Sequence, residues 1–231
     1  MVMIIPHLLL AHFTGDYLLQ TQWIASRKSH WIDGLLIHTG IILVVSLLAV
    51  SPYLAVMLPY ILGLYVIHTL QDWGKARFNH NFPQWLTIGY FVDQTLHIGL
   101  ILIIQMHLGD HPDIAISNFE LFGVSFATVI IIMTRVYEVS WWSNWFEMIF
   151  YMQQWQIWGY LERSGMVVVS MVGGVWLAPL LALPRLYWGY RIESPIWQTR
   201  SGLLEWGLGI VLSMSLGYIW LAPLFNTWIM P

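Results

Sequence analysis

Seven apolar stretches, at 1–23, 34–50, 53–70, 85–106, 119–142, 166–182 and 203–225, approach or exceed the roughly 20 residues a helix needs to cross bilayer hydrocarbon. Backbone in lipid must satisfy its own hydrogen bonds, so stretches of this kind are restricted to helices. Charged residues make up 9% of the chain, against roughly a quarter in a soluble domain. The expected fold is all-α: a polytopic integral membrane helical bundle of seven to eight transmembrane helices. Aromatic residues flank several stretches, as at Trp141, Trp142, Trp155, Trp158, Tyr187, Trp188 and Trp228, where amphipathic rings favour the headgroup level.

The first stretch lacks the basic segment and small-residue cleavage site of a signal peptide, so it reads as a retained helix. Basic residues orient the N-terminal half. Arg27 and Lys28 follow the first stretch and Lys75 and Arg77 the third, whereas the turn at Ser51 and Pro52 and the loop at 108–118 carry no Lys or Arg. The positive-inside rule then places loops one and three in the cytoplasm of a multi-pass protein, which we expect in a bacterial inner (cytoplasmic) membrane. Arg185, Arg191 and Arg200 break this alternation unless the Trp-rich 143–160 also crosses or re-enters, which gives eight crossings in place of seven. We divide the chain into a four-helix unit at 1–108, an acidic outer loop at 109–118 and an aromatic-rich C-terminal set of helices at 119–231.

The chemistry lies in the N-terminal unit. His12/Asp16, His68/Asp72 and Asp93/His97 are pairs at i, i+4 spacing inside apolar stretches, and His38 lies inside another. Residues four apart share a helix face, about 6 Å of rise apart, so each pair presents an imidazole and a carboxylate to one neighbour. Gln20 would extend the first such face by a turn. With the orientation above, all seven residues fall at one depth near the cytoplasmic side.

Three readings are open for them. Interhelical hydrogen bonds between membrane helices contribute only about 0.6 kcal/mol each on average, little against the repeated cost of placing ionisable groups in lipid. A divalent metal ion of the Zn, Mn or Mg class would be bound by neutral imidazoles and carboxylates, the only strong ligands in a chain without cysteine. Proton or ion translocation is the third.

His7, His30, His80, His107 and His111 are expected to face solvent or headgroups. Arg135, Glu138, Glu162, Arg163 and Glu205 read as structural ion pairs that fix helix packing. A net charge of −3 argues against nucleic acid as a partner.

The string His12-x-x-x-Asp16-Tyr-Leu-Leu-Gln20-Thr-Gln-Trp23, then Lys28, Leu-Leu-Ile-His38, His68-x-x-x-Asp72-x-x-Lys75 and Phe91-Val-Asp93-Gln94-x-x-His97 resembles the bacterial membrane-protein family named domain of unknown function 3307. The likeness covers about the first 100 residues. Gly159-Tyr-Leu-Glu162-Arg163 and Glu205-Trp206 are similar to elements of that family's C-terminal half, while 143–156 follows no pattern of it. The resemblance implies an inner-membrane fold in which the His/Asp/Gln set matters, and no activity.

The leading expectation is metal-assisted hydrolysis of a phosphorylated or ester-linked lipid. His12, Asp16, His38, His68, Asp72, Asp93 and His97 would hold the metal, Asp16, Asp72 and Asp93 would be the catalytic carboxylates, and Gln20, Gln94 and Lys75 would orient ligands or substrate. One alternative is a non-catalytic subunit of a larger membrane complex, either binding haem or a chlorin or purely structural, with the aromatic C-terminal half packed on partner helices. A second is a proton or ion transporter.

Overall fold

The computed structural model describes residues 4–109, 111–136, 153–191 and 200–229; within these helices the side chains of 153–157, 188–191, 200–202 and 205 fall outside the description. Every regular element among the described residues is helical. Five helical segments are long and apolar enough to cross a membrane: Ile32–Ala49, Ser51–Asn81, Pro83–Leu108, Asn118–Val136 and Trp206–Ile229. The chain forms two compact units, 1–117 and 118–231.

In the first unit, helices α1 (Ile5–Phe13), α3 (Ile32–Ala49), α4 (Leu54–Asn81) and α5 (Leu86–Leu108) close a ring, with α1 against α3 and α5, and α4 against α3 and α5. A short α2 (Gln22–Lys28) packs on α3. One stripe of each long helix turns inward. On α4 it is Met57, Ile61, Leu64, His68 and Asp72, and on α5 Gly89, Asp93, His97, Ile101, Ile104 and Leu108. The outward residues, such as Leu58, Leu62, Val66, Leu96 and Ile103, are exposed and apolar. Helices apolar on the outside with their few polar groups inside are arranged for lipid rather than water.

The first apolar stretch does not run on to residue 23. After Phe13 the helix widens into a π-turn at Thr14–Leu18, closed by the Leu19 N–H donating to the Thr14 carbonyl at 2.9 Å. It then stops, and Thr21 caps α2 by accepting from the Ile24 N–H at 3.3 Å. Gly15 lets this turn lie on α3, because an added Cβ would overlap the Ile42 Cδ1 atom. At the other end of α2, a Cβ on Gly34 would stand 2.6 Å from both the Arg27 carbonyl carbon and the Lys28 nitrogen.

The second unit contains α6 (Asn118–Ile131) with a π-turn at Ile132–Val136, α7 (Gln153–Met171), α8 (Leu183–Arg191), α9 (Arg200–Ser215), a π-turn at Leu216–Leu221 and α10 (Ala222–Ile229). Val129, Met133, Val167, Met171 and Leu221 form its core. The apolar stretch at 166–182 is not one helix, contrary to expectation. α7 ends at Met171, Gly173 takes φ +90°, and the chain resumes as a 3-10 turn at Ala178–Ala182.

The ion pairs expected here are only partly described. Glu138 and the side chain of Glu205 lie outside the description. Arg135 donates to the Tyr160 hydroxyl at 3.2 Å, and Arg163 donates through Nε to the Met133 carbonyl at 2.7 Å. Glu162 pairs with Arg185 at 3.7 Å, both side chains buried. Arg185, read from sequence only as a loop charge, supplies this partner.

Candidate functional site

The ring of α1, α3, α4 and α5 brings His12, Asp16, His38, His68, Asp72, Asp93 and His97 into one cluster. The i, i+4 spacing sets the face on each helix, and ring closure sets the meeting. His38 from α3 lies between two carboxylates, its Nε2 3.3 Å from Asp16 Oδ1 and 3.1 Å from Asp72 Oδ2. His68 Nε2 stands 3.8 Å and 3.6 Å from the same two oxygens. His97 Nε2 is 3.3 Å from Asp93 Oδ1. The His68 and His97 rings stack, and the His12 ring meets them edge-on with centroids 5.8 Å and 5.1 Å away.

Asp16 enters the cluster from the π-turn. An inserted residue of this kind rotates the following side chains relative to a regular helix, and such turns occur often at functional positions. The same turn ends the helix, so Gln20 lies beyond it rather than on the face of His12 and Asp16 as expected. Its Oε1 is buried without a hydrogen bond, and no described bond ties it to the cluster.

Close approach here is not the same as hydrogen bonding. Asp16 Oδ1, His38 Nε2, His68 Nε2, Asp93 Oδ1 and His97 Nε2 are all buried and make no hydrogen bond of acceptable geometry among the described residues. Their separations are short, yet donors and acceptors do not aim at one another. Buried polar atoms are normally bonded, and each that is not costs about 1–3 kcal/mol. Three overlapping sets, Asp16/His68/His97, His38/His68/Asp72 and Asp72/Asp93/His97, each present ligand atoms within 4.8 Å of one another, the spacing of atoms that surround a common ion.

Charge points the same way. Three carboxylates face two ammonium groups: Lys28 reaches Asp72 Oδ2 at 3.3 Å and Lys75 reaches Asp93 Oδ2 at 2.6 Å. No ammonium stands within ion-pair distance of Asp16 among the described residues. With neutral imidazoles the cluster carries one net negative charge, which a cation offsets.

A surrounding set of bonds fixes the ring orientations. Gln71 Oε1 lies 2.6 Å from His97 Nδ1, leaving Nε2 to face the centre. Gln94 bridges two helices, with Oε1 3.3 Å from His12 Nε2 and Nε2 donating to Asp93 Oδ2 at 3.3 Å. The Tyr17 and Tyr90 hydroxyls meet at 2.6 Å, with Lys75 Nζ 5.5 Å from the Tyr90 ring centre.

Gln71, Tyr17 and Tyr90 were not singled out from sequence, although Gln71 and Tyr17 adjoin the pairs and Tyr90 lies one turn before Asp93. Lys28 was read from sequence as a loop charge and as part of a resemblance, not as a partner of the cluster. His7 is a correction: it is buried at 2% exposure against Tyr53 rather than facing solvent. The adjoining Ile4 N–H donates to Gln105 Oε1 on α5 at 2.9 Å, which holds this end of α1 inside the bundle.

A family profile described as protein of unknown function, DUF3307, matches residues 4–122, just over half of the 231 residues and every member of the cluster. The C-terminal elements around Glu162 and Glu205 lie beyond that match. Neither the curated proteins nor the solved structures contain a significant match to this chain.

Proposed function

The chain belongs to the DUF3307 family, and we propose that it is a multi-pass protein of the bacterial inner membrane whose His/Asp cluster holds a divalent metal ion for hydrolysis of a phosphorylated or ester-linked lipid. The observation that carries this reading is that Asp16 Oδ1, His38 Nε2, His68 Nε2, Asp93 Oδ1 and His97 Nε2 are buried and unbonded among residues that form three overlapping sets of ligand spacing. Placing a carboxylate at bilayer depth costs about 2.5–3.5 kcal/mol on insertion scales, far more than the ~0.6 kcal/mol of an interhelical hydrogen bond. Lys28 and Lys75 pair with Asp72 and Asp93, and a cation bound among these atoms would engage the third carboxylate, Asp16, together with the unbonded imidazole nitrogens.

A bound divalent ion supplies a water of lowered pKa and polarises a phosphoryl or carbonyl oxygen. The chain's own groups hold it through imidazole and carboxylate, orient the ligands through Gln71 and Gln94, and set the local charge through Lys28 and Lys75. The 4.1 Å stacking of His68 on His97 favours a compact ion over a haem or chlorin held between imidazoles. Five described segments are long and apolar enough to cross a membrane, fewer than the seven to eight expected; a count of seven would need the shorter run at 5–18 and the more polar Gln153–Met171 to cross as well. The residues around Lys28, Lys75 and Arg77 are placed at the cytoplasmic face by the positive-inside rule.

Elemental analysis of the purified full chain tests the reading. Wild type should carry about one to two equivalents of divalent metal, and His68→Ala and Asp72→Ala should lose most of it while remaining folded. Wild type without metal would end the proposal.

A further inference from the structure

Beside the cluster, where α2 gives way to α3 and α4 leaves the bundle, lies a cavity of about 450 Å³. Lys28, His30, Trp31, Trp73, Arg77 and His80 line it, and no carboxylate is among its lining residues. The volume lies within the range of small-ligand sites, large enough for a polar headgroup and too small for a pair of acyl chains as well.

We infer that this pocket binds the phosphate of an anionic amphiphile and thereby selects a phosphorylated lipid over a neutral ester as the ligand of the adjoining cluster. Its role as a substrate seat rests on the metal-centre reading above; its affinity for phosphate does not.

Four features carry the inference. First, two permanent cations and two histidines surround one cavity, a donor set suited to phosphate oxygens. Of the neighbouring carboxylates, Asp33 is engaged elsewhere and Asp72 shares Lys28, so Arg77 is the lining cation that no carboxylate pairs with among the described residues. Asp33 accepts from Arg27 Nε at 2.9 Å and from the Gly34 N–H at 2.8 Å, and Asp72 pairs with Lys28.

Second, Arg77 is pre-positioned. Its Cζ stands 4.4 Å from the Trp73 ring centre, and stacking there leaves the N–H edge available for a planar, bidentate contact.

Third, Trp31 and Trp73 are exposed at 65% and 44%, as suits rings at headgroup level rather than in a protein core.

Fourth, Lys28 links pocket and cluster. Lys28 lines the cavity and also reaches Asp72, while His68, Asp72, Ala76 and His80 follow at four-residue steps along α4. Ala76, which lines the cavity, is about 6 Å of rise beyond Asp72, one turn from the cluster.

The test uses the purified full chain in neutral detergent micelles. Binding of a short-chain phosphatidic acid is compared with that of the matched diacylglycerol and of inorganic phosphate, for wild type, Arg77→Gln and Lys28→Gln, with metal content measured on each sample. We expect phosphatidic acid to bind about tenfold or more tightly than the diacylglycerol, and Arg77→Gln, at an exposed position, to lose about tenfold with metal content unchanged. Equal binding of the two lipids, or no loss in either variant, would overturn the inference. Inorganic phosphate binding as tightly as phosphatidic acid would assign the pocket to soluble phosphates and overturn the lipid assignment. If wild type holds no metal but keeps the preference and its loss in Arg77→Gln, the metal reading fails and the pocket stands. Metal present without the preference removes the pocket alone.

Discussion

The imidazoles of His68 and His97 stack with centroids 4.1 Å apart and planes 20° apart. This contact sets the register of α4 against α5 at the level of the cluster. Slipping either helix by one residue rotates its ring by about 100° and turns it toward the lipid-facing side. It also places Gln71 beside His97 Nδ1 and Lys75 beside Asp93, so each α5 member of the pair is held by an α4 partner.

Gln71→Ala should therefore weaken divalent-ion binding about 10–100-fold, the usual effect of removing a partner that orients a metal-binding histidine. Titration against a competing chelator measures it. Wild-type affinity in this variant would show that Gln71 does not orient His97.

Gly15 and Ile42 should couple. The added Cβ of Gly15→Ala overlaps Ile42 Cδ1, and overpacking of this kind costs about 1–3 kcal/mol, offset in part by up to about 1 kcal/mol of helix propensity. Ile42→Val removes the obstructing atom. Denaturation in micelles should show a smaller cost for Gly15→Ala in the Ile42→Val background, where the propensity gain is common to both. Equal costs in the two backgrounds would place the conflict elsewhere.

Gly34→Ala meets backbone atoms of Arg27 and Lys28, which cannot rotate away. We expect a loss of about 1–3 kcal/mol and displacement of Lys28 from Asp72. A cycle with Lys28→Met should then be non-additive by at least about 0.5 kcal/mol. Simple additivity would mean that Gly34 does not position the lysine.

In the second unit, Arg163→Met removes the 2.7 Å hydrogen bond to the Met133 carbonyl and should destabilise the protein by about 1.5–3 kcal/mol. An unchanged thermal midpoint for the full chain would refute this.

Several elements were legible because one physical constraint acts along the chain. The apolar runs from Gly34 and from Tyr53 had to be helices in lipid, and four-residue spacing had to put His68 with Asp72 and Asp93 with His97 on single faces. The match to the DUF3307 profile agrees with the resemblance carried by those residues. Other features were not legible for local reasons. A π-turn at Thr14–Leu18 has no strong sequence signal, and it separated Gln20 from the face of His12 and Asp16. The Gly173-Gly174 pair interrupts an apolar run that hydropathy alone reads as continuous.

The sequence by itself determined that the chain is helical, which segments are apolar enough to cross a membrane, and which face of each helix carries imidazole and carboxylate, because composition and periodicity act within one helix. Only the tertiary structure decided that His38 lies between Asp16 and Asp72, that Lys28 spans 44 positions to reach Asp72, and that His7 is buried. Such pairings depend on which inward faces meet and at what level. That is set by close packing at positions such as Gly15 against Ile42, where residues distant along the chain share one volume.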